Sequence, residues 1–273
     1  MINRTSANLR LPAAIPEGQL VDRKWLKKQG FGRPDIDYYL RSGALKAVAR
    51  GVYLKPGSSL KWQSILYSLQ EMCTDVHVGG PQAIAEQGLS HFVSMSGKLA
   101  VHLYSSSHLP GWLSLWGEAN IAPATDQSFH LVVHHQAWLK KVPARFYTQK
   151  HFGSLDWGLH LAKPELAILQ CLVELKTEVE FQQLDRWFEA LGNLSPESLR
   201  TLLLLCPNVK AKRLFGWFAE RHHHAWFKHI DWTAINLGSG KRSVVSGGSL
   251  SKRWQITVPK IMEVPDGSEQ SIF

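Results

Sequence analysis

The sequence predicts an α+β chain in two parts: a small N-terminal unit of short helices and a hairpin, then a larger mixed α/β unit. Three observations carry this. Helix start and stop signals follow closely through residues 22–43, two β-rich runs flank a glycine turn at 45–54, and helical apolar spacing sets in from Lys163 after a β-rich stretch. With 273 residues, the chain can hold one large or two modest domains and bury a core without disulfides. The expected boundary falls near residue 95, dividing 1–95 from 96–273.

In the first part, Asp22 is placed to cap a helix carrying Trp25 and Leu26 on its apolar side, with Gly30 closing it. After the turn Phe31–Gly32–Arg33, Pro34 suits the start of a second helix, because its missing N–H has no helical acceptor there. Asp35 and Asp37 favour the positive end of that helix's dipole. Ile36, Tyr39 and Leu40 take core spacing, and Gly43 ends the helix. Leu45–Val48 and Val52–Leu54 around Ala49–Arg50–Gly51 read as a hairpin, closed by Pro56–Gly57. A helical extension follows at Ser59–Met72 and Pro81–Gly88. In the second part, strands are expected at Leu99–Tyr104, Phe129–His134 and Arg145–Thr148, and helices from Pro164, at Phe181–Leu191, Pro196–Leu205 and Val209–His224.

Helix, short turn, helix, hairpin is the order of a winged helix-turn-helix, in which the second helix is held so that its outer face enters a DNA major groove. Charge agrees. The net charge is +9, unevenly spread: residues 1–60 carry 11 basic and 4 acidic side chains, and residues 209–260 carry 10 and 2. Two basic blocks around a neutral-to-acidic middle favour a polyanion partner. On the outer face of the second helix lie Arg33, Asp37, Tyr38 and Arg41. Arg50 at the hairpin tip, Lys46 and Lys55 beside it, and Lys24, Lys27 and Lys28 on the first helix are placed to reach phosphates. In the second block, Lys210, Lys212, Arg213 and Arg221 are expected to point outward from their helix, and Lys241, Arg242, Lys252 and Arg253 to extend a second basic surface.

Other chemistry is disfavoured. Cys73, Cys171 and Cys206 are odd in number and form no CxxC, against a disulfide framework or thiolate zinc site and in keeping with a reduced, cytoplasmic protein. Met1–Arg10 lacks an apolar stretch, so no signal peptide is expected, and the longest uncharged run is broken by serines, Pro110 and Gly111, so no membrane span is expected. His102, His130, His134 and His135 read as strand side chains. His222–His223–His224 point different ways on a helix and cannot share one ion, so no metal and no cofactor is expected. Gly238–Ser239–Gly240–Lys241–Arg242 resembles a phosphate loop, but Ile235 and Arg242 occupy positions where that motif needs Gly and Ser or Thr. A basic glycine loop touching a phosphate backbone or a partner protein remains open. No GxSxG, GxGxxG or catalytic carboxylate pair is present, and an enzyme is not expected.

Asp22–Arg23–Lys24–Trp25–Leu26, Gly30, Tyr39, Ser42–Gly43, Gly51–Val52–Tyr53 and Pro56–Gly57 resemble the N-terminal domain of AbiEi-type antitoxins. Lys212–Arg213–Leu214–Phe215, Glu220–Arg221–His222, Trp226, Asn236–Leu237–Gly238–Ser239–Gly240–Lys241–Arg242, Gly247–Gly248 and Trp254–Gln255–Ile256–Thr257–Val258–Pro259 resemble its C-terminal half, with Trp254 where many relatives have Tyr. The resemblance implies a transcriptional autorepressor and antitoxin. It implies an N-terminal domain on inverted repeats of double-stranded DNA upstream of its own operon, an arrangement suited to a dimer on DNA. It also implies a C-terminal domain that counteracts an AbiEii-like nucleotidyltransferase toxin without needing a stable complex, in phage defence by abortive infection. The alternative is an interaction module that neutralises an acidic toxin by direct binding, with no specific DNA site. A nuclease is a third class, but it would need a carboxylate cluster for a metal, and residues 209–260 offer only Glu220 and Asp231.

Overall fold

In the computed structural model, the described residues are 10–73, 75–89, 99–118, 128–153, 156–245 and 247–262; the expected boundary near residue 95 lies outside them. The chain forms two compact units, each drawn from three segments. The first comprises residues 1–78, 94–137 and 149–160, and the second residues 79–93, 138–148 and 161–273. The architecture is mixed α/β.

The first unit opens with α1 (Arg10–Ala14), β1 (Val21–Asp22), α2 (Arg23–Lys28), α3 (Arg33–Arg41), β2 (Lys46–Ala49) and β3 (Val52–Leu54). The local signals operate as expected. Asp22 Oδ1 accepts from the Trp25 N–H at 2.6 Å, capping α2, and Asp35 Oδ2 reaches back to the Gly32 N–H at 2.8 Å at the start of α3. Gly51 turns the hairpin with φ of +78°, a conformation costly to any residue bearing a Cβ. Strand β1, too short to show a period in the sequence, pairs antiparallel with β3, making the three-stranded order β1-β3-β2. Leu11, Ile15, Val21, Leu26, Ile36, Tyr39, Leu45 and Tyr53 form the core of this region, with Trp25, Phe31, Leu40 and Ala44 packed against it. Thus Ile36 and Tyr39 of the α3 stripe are buried, Leu40 partly so, and the opposite face is exposed.

Helix α4 (Trp62–Met72) follows, then β4 (His77–Val78), β5 (Leu99–Ser105), β6 (Phe129–His135), β7 (Tyr147–Phe152) and β8 (Trp157–Ala162). They form a sheet of order β6-β5-β4-β8-β7, in which β5 runs parallel to β6 and antiparallel to β4. His77 is buried in it, and burial pushes its pKa down to about 4. The strand histidines lie against one another: His102 Nδ1 and His134 Nε2 are 2.9 Å apart, and His134 stacks on Tyr104 at 4.4 Å. Among the described residues no group of three or more His, Cys, Asp or Glu is arranged to hold a metal, and no helix is long and apolar enough to cross a membrane.

The second unit is mostly helical: α5 (Gly80–Glu86), α6 (Pro164–Glu174), α7 (Glu178–Ala190), α8 (Pro196–Leu205) and α9 (Val209–Arg221), then the hairpin β9 (Ser249–Ser251) and β10 (Ile256–Val258). Gln170 Oε1 accepts from the buried Gly80 N–H, joining α6 to the start of α5. Phe181, Phe188, Phe215 and Phe218 form an aromatic core with Trp217 and Trp226. The histidine run ends α9 structurally. His222 Nε2 lies 2.8 Å from Asp185 Oδ1, and His224 Nε2 lies 2.6 Å from the Phe188 carbonyl.

Candidate nucleic-acid interface

Helix α3 is short but firmly seated. Tyr39 is buried and meets Phe31 edge-on at 6.0 Å, while burial raises the Tyr39 hydroxyl pKa. With that face fixed, Arg33, Asp37 and Arg41 recur every four residues on the other, with Tyr38 beside Arg41. All four are exposed. Arg41 Nε donates to the Asp37 carbonyl at 3.2 Å, which orients the guanidinium along the helix. Tyr38 meets Tyr39 edge-on at 5.5 Å, so the core ring limits where the exposed ring can turn.

Around this helix, Lys24, Lys27 and Lys28 of α2, Lys46 of β2 and Arg50 at the turn are also exposed, and Lys55 is half-buried. One further cation lies beside those expected to reach phosphates. Arg23, exposed at the first turn of α2, donates from Nε to the hydroxyl of buried Tyr53 at 3.1 Å and ties α2 to β3. It stands four residues before Lys27, on the same helix face.

The second basic block departs from expectation. Lys212 and Arg213 are not on a surface: both are buried, Arg213 completely. Helix α9 is enclosed on nearly every side, and Arg213 is used internally. Its Nε donates to the Leu237 carbonyl at 2.7 Å, Nη2 to Gly238 at 3.1 Å, and Nη1 to Gly240 at 2.5 Å and Gln255 at 3.1 Å. Burial also lowers the Lys212 pKa. Lys210 is half-buried, with Nζ donating to the Leu175 carbonyl at 2.6 Å. Arg221 is held between Asp185, at 3.0 Å, and the Met262 carbonyl, also at 3.0 Å. Burial alone would raise the Asp185 carboxyl, but the His222 hydrogen bond and the Arg221 charge hold it below its ordinary pKa. Arg253 is half-buried against Glu220 at 3.1 Å. Of the eight residues expected on this surface, Lys241, Arg242 and Lys252 are exposed.

Two family models account for the chain. One, described as the AbiEi antitoxin N-terminal domain of a transcriptional regulator, matches residues 5–95; the other, described as transcriptional regulator, AbiEi antitoxin, type IV toxin–antitoxin system, matches residues 98–259. The chain belongs to the AbiEi antitoxin family. A solved structure, that of the RV2827C protein from Mycobacterium tuberculosis, shares the fold with a TM-score of 0.53 at 14% identity, covering 93% of this chain and 91% of that one. No curated protein sequence matches. The AbiEi family is one of transcriptional regulators and antitoxins, not of known enzymes. The residues quoted above from both ends of the sequence fall inside the two matched ranges.

Proposed function

We propose that this AbiEi protein is a DNA-binding autorepressor and antitoxin, with residues 1–95 as a winged helix-turn-helix DNA-binding domain and 96–273 as the antitoxin domain. The observation that carries the DNA reading is the exposed face of α3 with exposed cations on its flanks, set on a frame whose opposite side is buried. In this reading α3 enters the major groove. Arg33 and Arg41 are placed for guanine, Tyr38 for a thymine methyl or a phosphate, and Asp37 for a cytosine amine. Lys24, Lys27, Lys28, Lys46, Arg50 and Lys55 contact phosphates and set the register. Two copies on inverted repeats upstream of the operon account for repression, and the C-terminal domain counteracts a nucleotidyltransferase-like toxin.

The test is binding to the protein's own upstream DNA and to a scrambled fragment across a salt series. Engagement of about six phosphates gives a log–log slope of roughly −5, so that doubling the salt weakens binding about 30-fold. Selective, salt-sensitive binding supports the proposal. Equal binding to both fragments removes specific reading and leaves direct toxin binding as the better account. A slope near zero removes the phosphate contacts.

A further inference from the structure

The loop from Asn236 to Ser243 is the motif that the proposed DNA reader does not use. Three of its carbonyls are turned inward. Those of Leu237, Gly238 and Gly240 all accept from the buried Arg213 guanidinium. A trans peptide points its N–H opposite to its C=O, and no cis peptide occurs among the described residues. With the Gly238 and Gly240 carbonyls drawn in, the N–H groups of Ser239 and Lys241 face outward. Neither has a hydrogen-bond partner among the described residues, whereas the Gly238 N–H is taken by Asn236 Oδ1 at 2.8 Å. Gly238 and Gly240 hold φ of +63° and +70°, the left-handed turns that let alternate carbonyls fold inward. A Cβ on Gly238 would meet Val209 at 3.1 Å, so the loop is closed down against the start of α9.

Positive charge gathers on the same loop. Lys241 and Arg242 are exposed beside the outward amides, and the Arg213 and Arg242 charges lie close enough to repel. Gln255, whose carbonyl accepts from both the Arg242 N–H and Arg213 Nη1, brings in the β9–β10 turn that carries exposed Lys252. Outward amides with adjoining cations suit an anion.

From this arrangement we infer that residues 238–242 form an anion-binding nest for a phosphate group, with the Ser239 and Lys241 amides and the Lys241 and Arg242 side chains as donors. Arg213 is its positioning residue, fixing the carbonyls on one side so that the amides stand on the other. The site resembles a phosphate loop in what it binds but not in its spacing, and Arg242 stands where such a loop carries the Ser or Thr that holds a magnesium ion. Phosphate groups reach it either on nucleic-acid backbone or on small phosphate compounds.

The experiment is an amide NMR titration of the isotope-labelled full chain with sodium pyrophosphate at constant ionic strength, repeated with a random-sequence DNA duplex. In the free protein, Ser239 and Lys241 amides exchange rapidly with solvent. On adding pyrophosphate they shift saturably and exchange more slowly, and the surface double variant Lys241→Ala/Arg242→Ala weakens this by roughly tenfold or more. Displacement of pyrophosphate by the duplex at those amides identifies nucleic-acid backbone as the source; pyrophosphate binding that the duplex leaves unchanged identifies a small phosphate compound. Slow exchange of both amides in the free protein, or shifts that do not saturate, would overturn the inference. So would binding that the double variant leaves intact.

Discussion

Gly216, in the middle of α9, is where a single methyl group tests how the C-terminal hairpin is seated. A Cβ built there lies 2.0 Å from Trp254 Cη2 and 2.1 Å from Cζ3. Trp254 is fully buried, and its indole N–H donates to Glu220 Oε2 at 2.8 Å. In Gly216→Ala the ring must retreat by roughly 1.4 Å to reach an ordinary contact. Overpacking costs about 1–3 kcal/mol, and loss of a hydrogen bond to a charged acceptor about 1.5–3 kcal/mol. Alanine's better helix propensity returns about 1 kcal/mol. The expected net destabilisation is about 1.5–5 kcal/mol, read from urea midpoints by circular dichroism. Trp254→Phe removes the clashing six-membered ring, so the double variant should lose less than the two single variants added together. A Gly216→Ala protein within about 0.5 kcal/mol of the parent, or additive losses in the double variant, would refute the claim that this contact holds the hairpin on α9.

Arg41→Ala should cost about 1–3 kcal/mol on the cognate DNA and little on random DNA if Arg41 reads a base; equal losses on both, in a gel-shift series, would make it a phosphate contact. His77 takes up a proton more readily when unfolded, since burial holds its folded pKa to about 4 against an ordinary 6.5. Stability is therefore complete above pH 6.5 and falls by about 3 kcal/mol as pH drops to 4, and His77→Gln should flatten that part of a stability–pH curve. Thr177 Oγ1 accepts from the Glu180 N–H at 3.2 Å, while Glu180 Oε2 accepts from the Thr177 N–H at 3.0 Å. Thr177→Ala should cost about 1 kcal/mol and Thr177→Asn much less, as measured by thermal unfolding.

What could be read in the sequence was what local chemistry decides. Asp22, Pro34 and Gly51 act through neighbours within a few residues, so α2, α3 and the first hairpin fell where expected. The face of α3 followed from its apolar spacing alone. The strands β1 and β4, with two residues each, carry no period. The parallel pairing of β5 with β6 depends on chain crossings that composition does not encode. Arg213 shows the limit most clearly. A cation on a helix is ordinarily solvated, and its burial depends on carbonyls 24 to 42 residues downstream. Lys210 and Arg221 were drawn inward in the same way, by the Leu175 carbonyl and by Asp185. The role of Arg23 is not local either, since its partner, Tyr53, lies on a strand 30 residues away.

The eight residues that make the core around α3 all lie between Leu11 and Tyr53. The contacts among these eight are therefore available once the chain as far as Tyr53 has left the ribosome. At about 5–20 residues per second, synthesis from Tyr53 to Gln255 lasts roughly 10–40 s. Helices and hairpins of this size form within microseconds. The second unit, by contrast, waits for β10 near the end of the chain to bring the Gln255 carbonyl to Arg213 and Trp254 to Gly216. Within one polypeptide, the core around α3 is available early in synthesis, and the seat of the C-terminal hairpin only after β10 has been made.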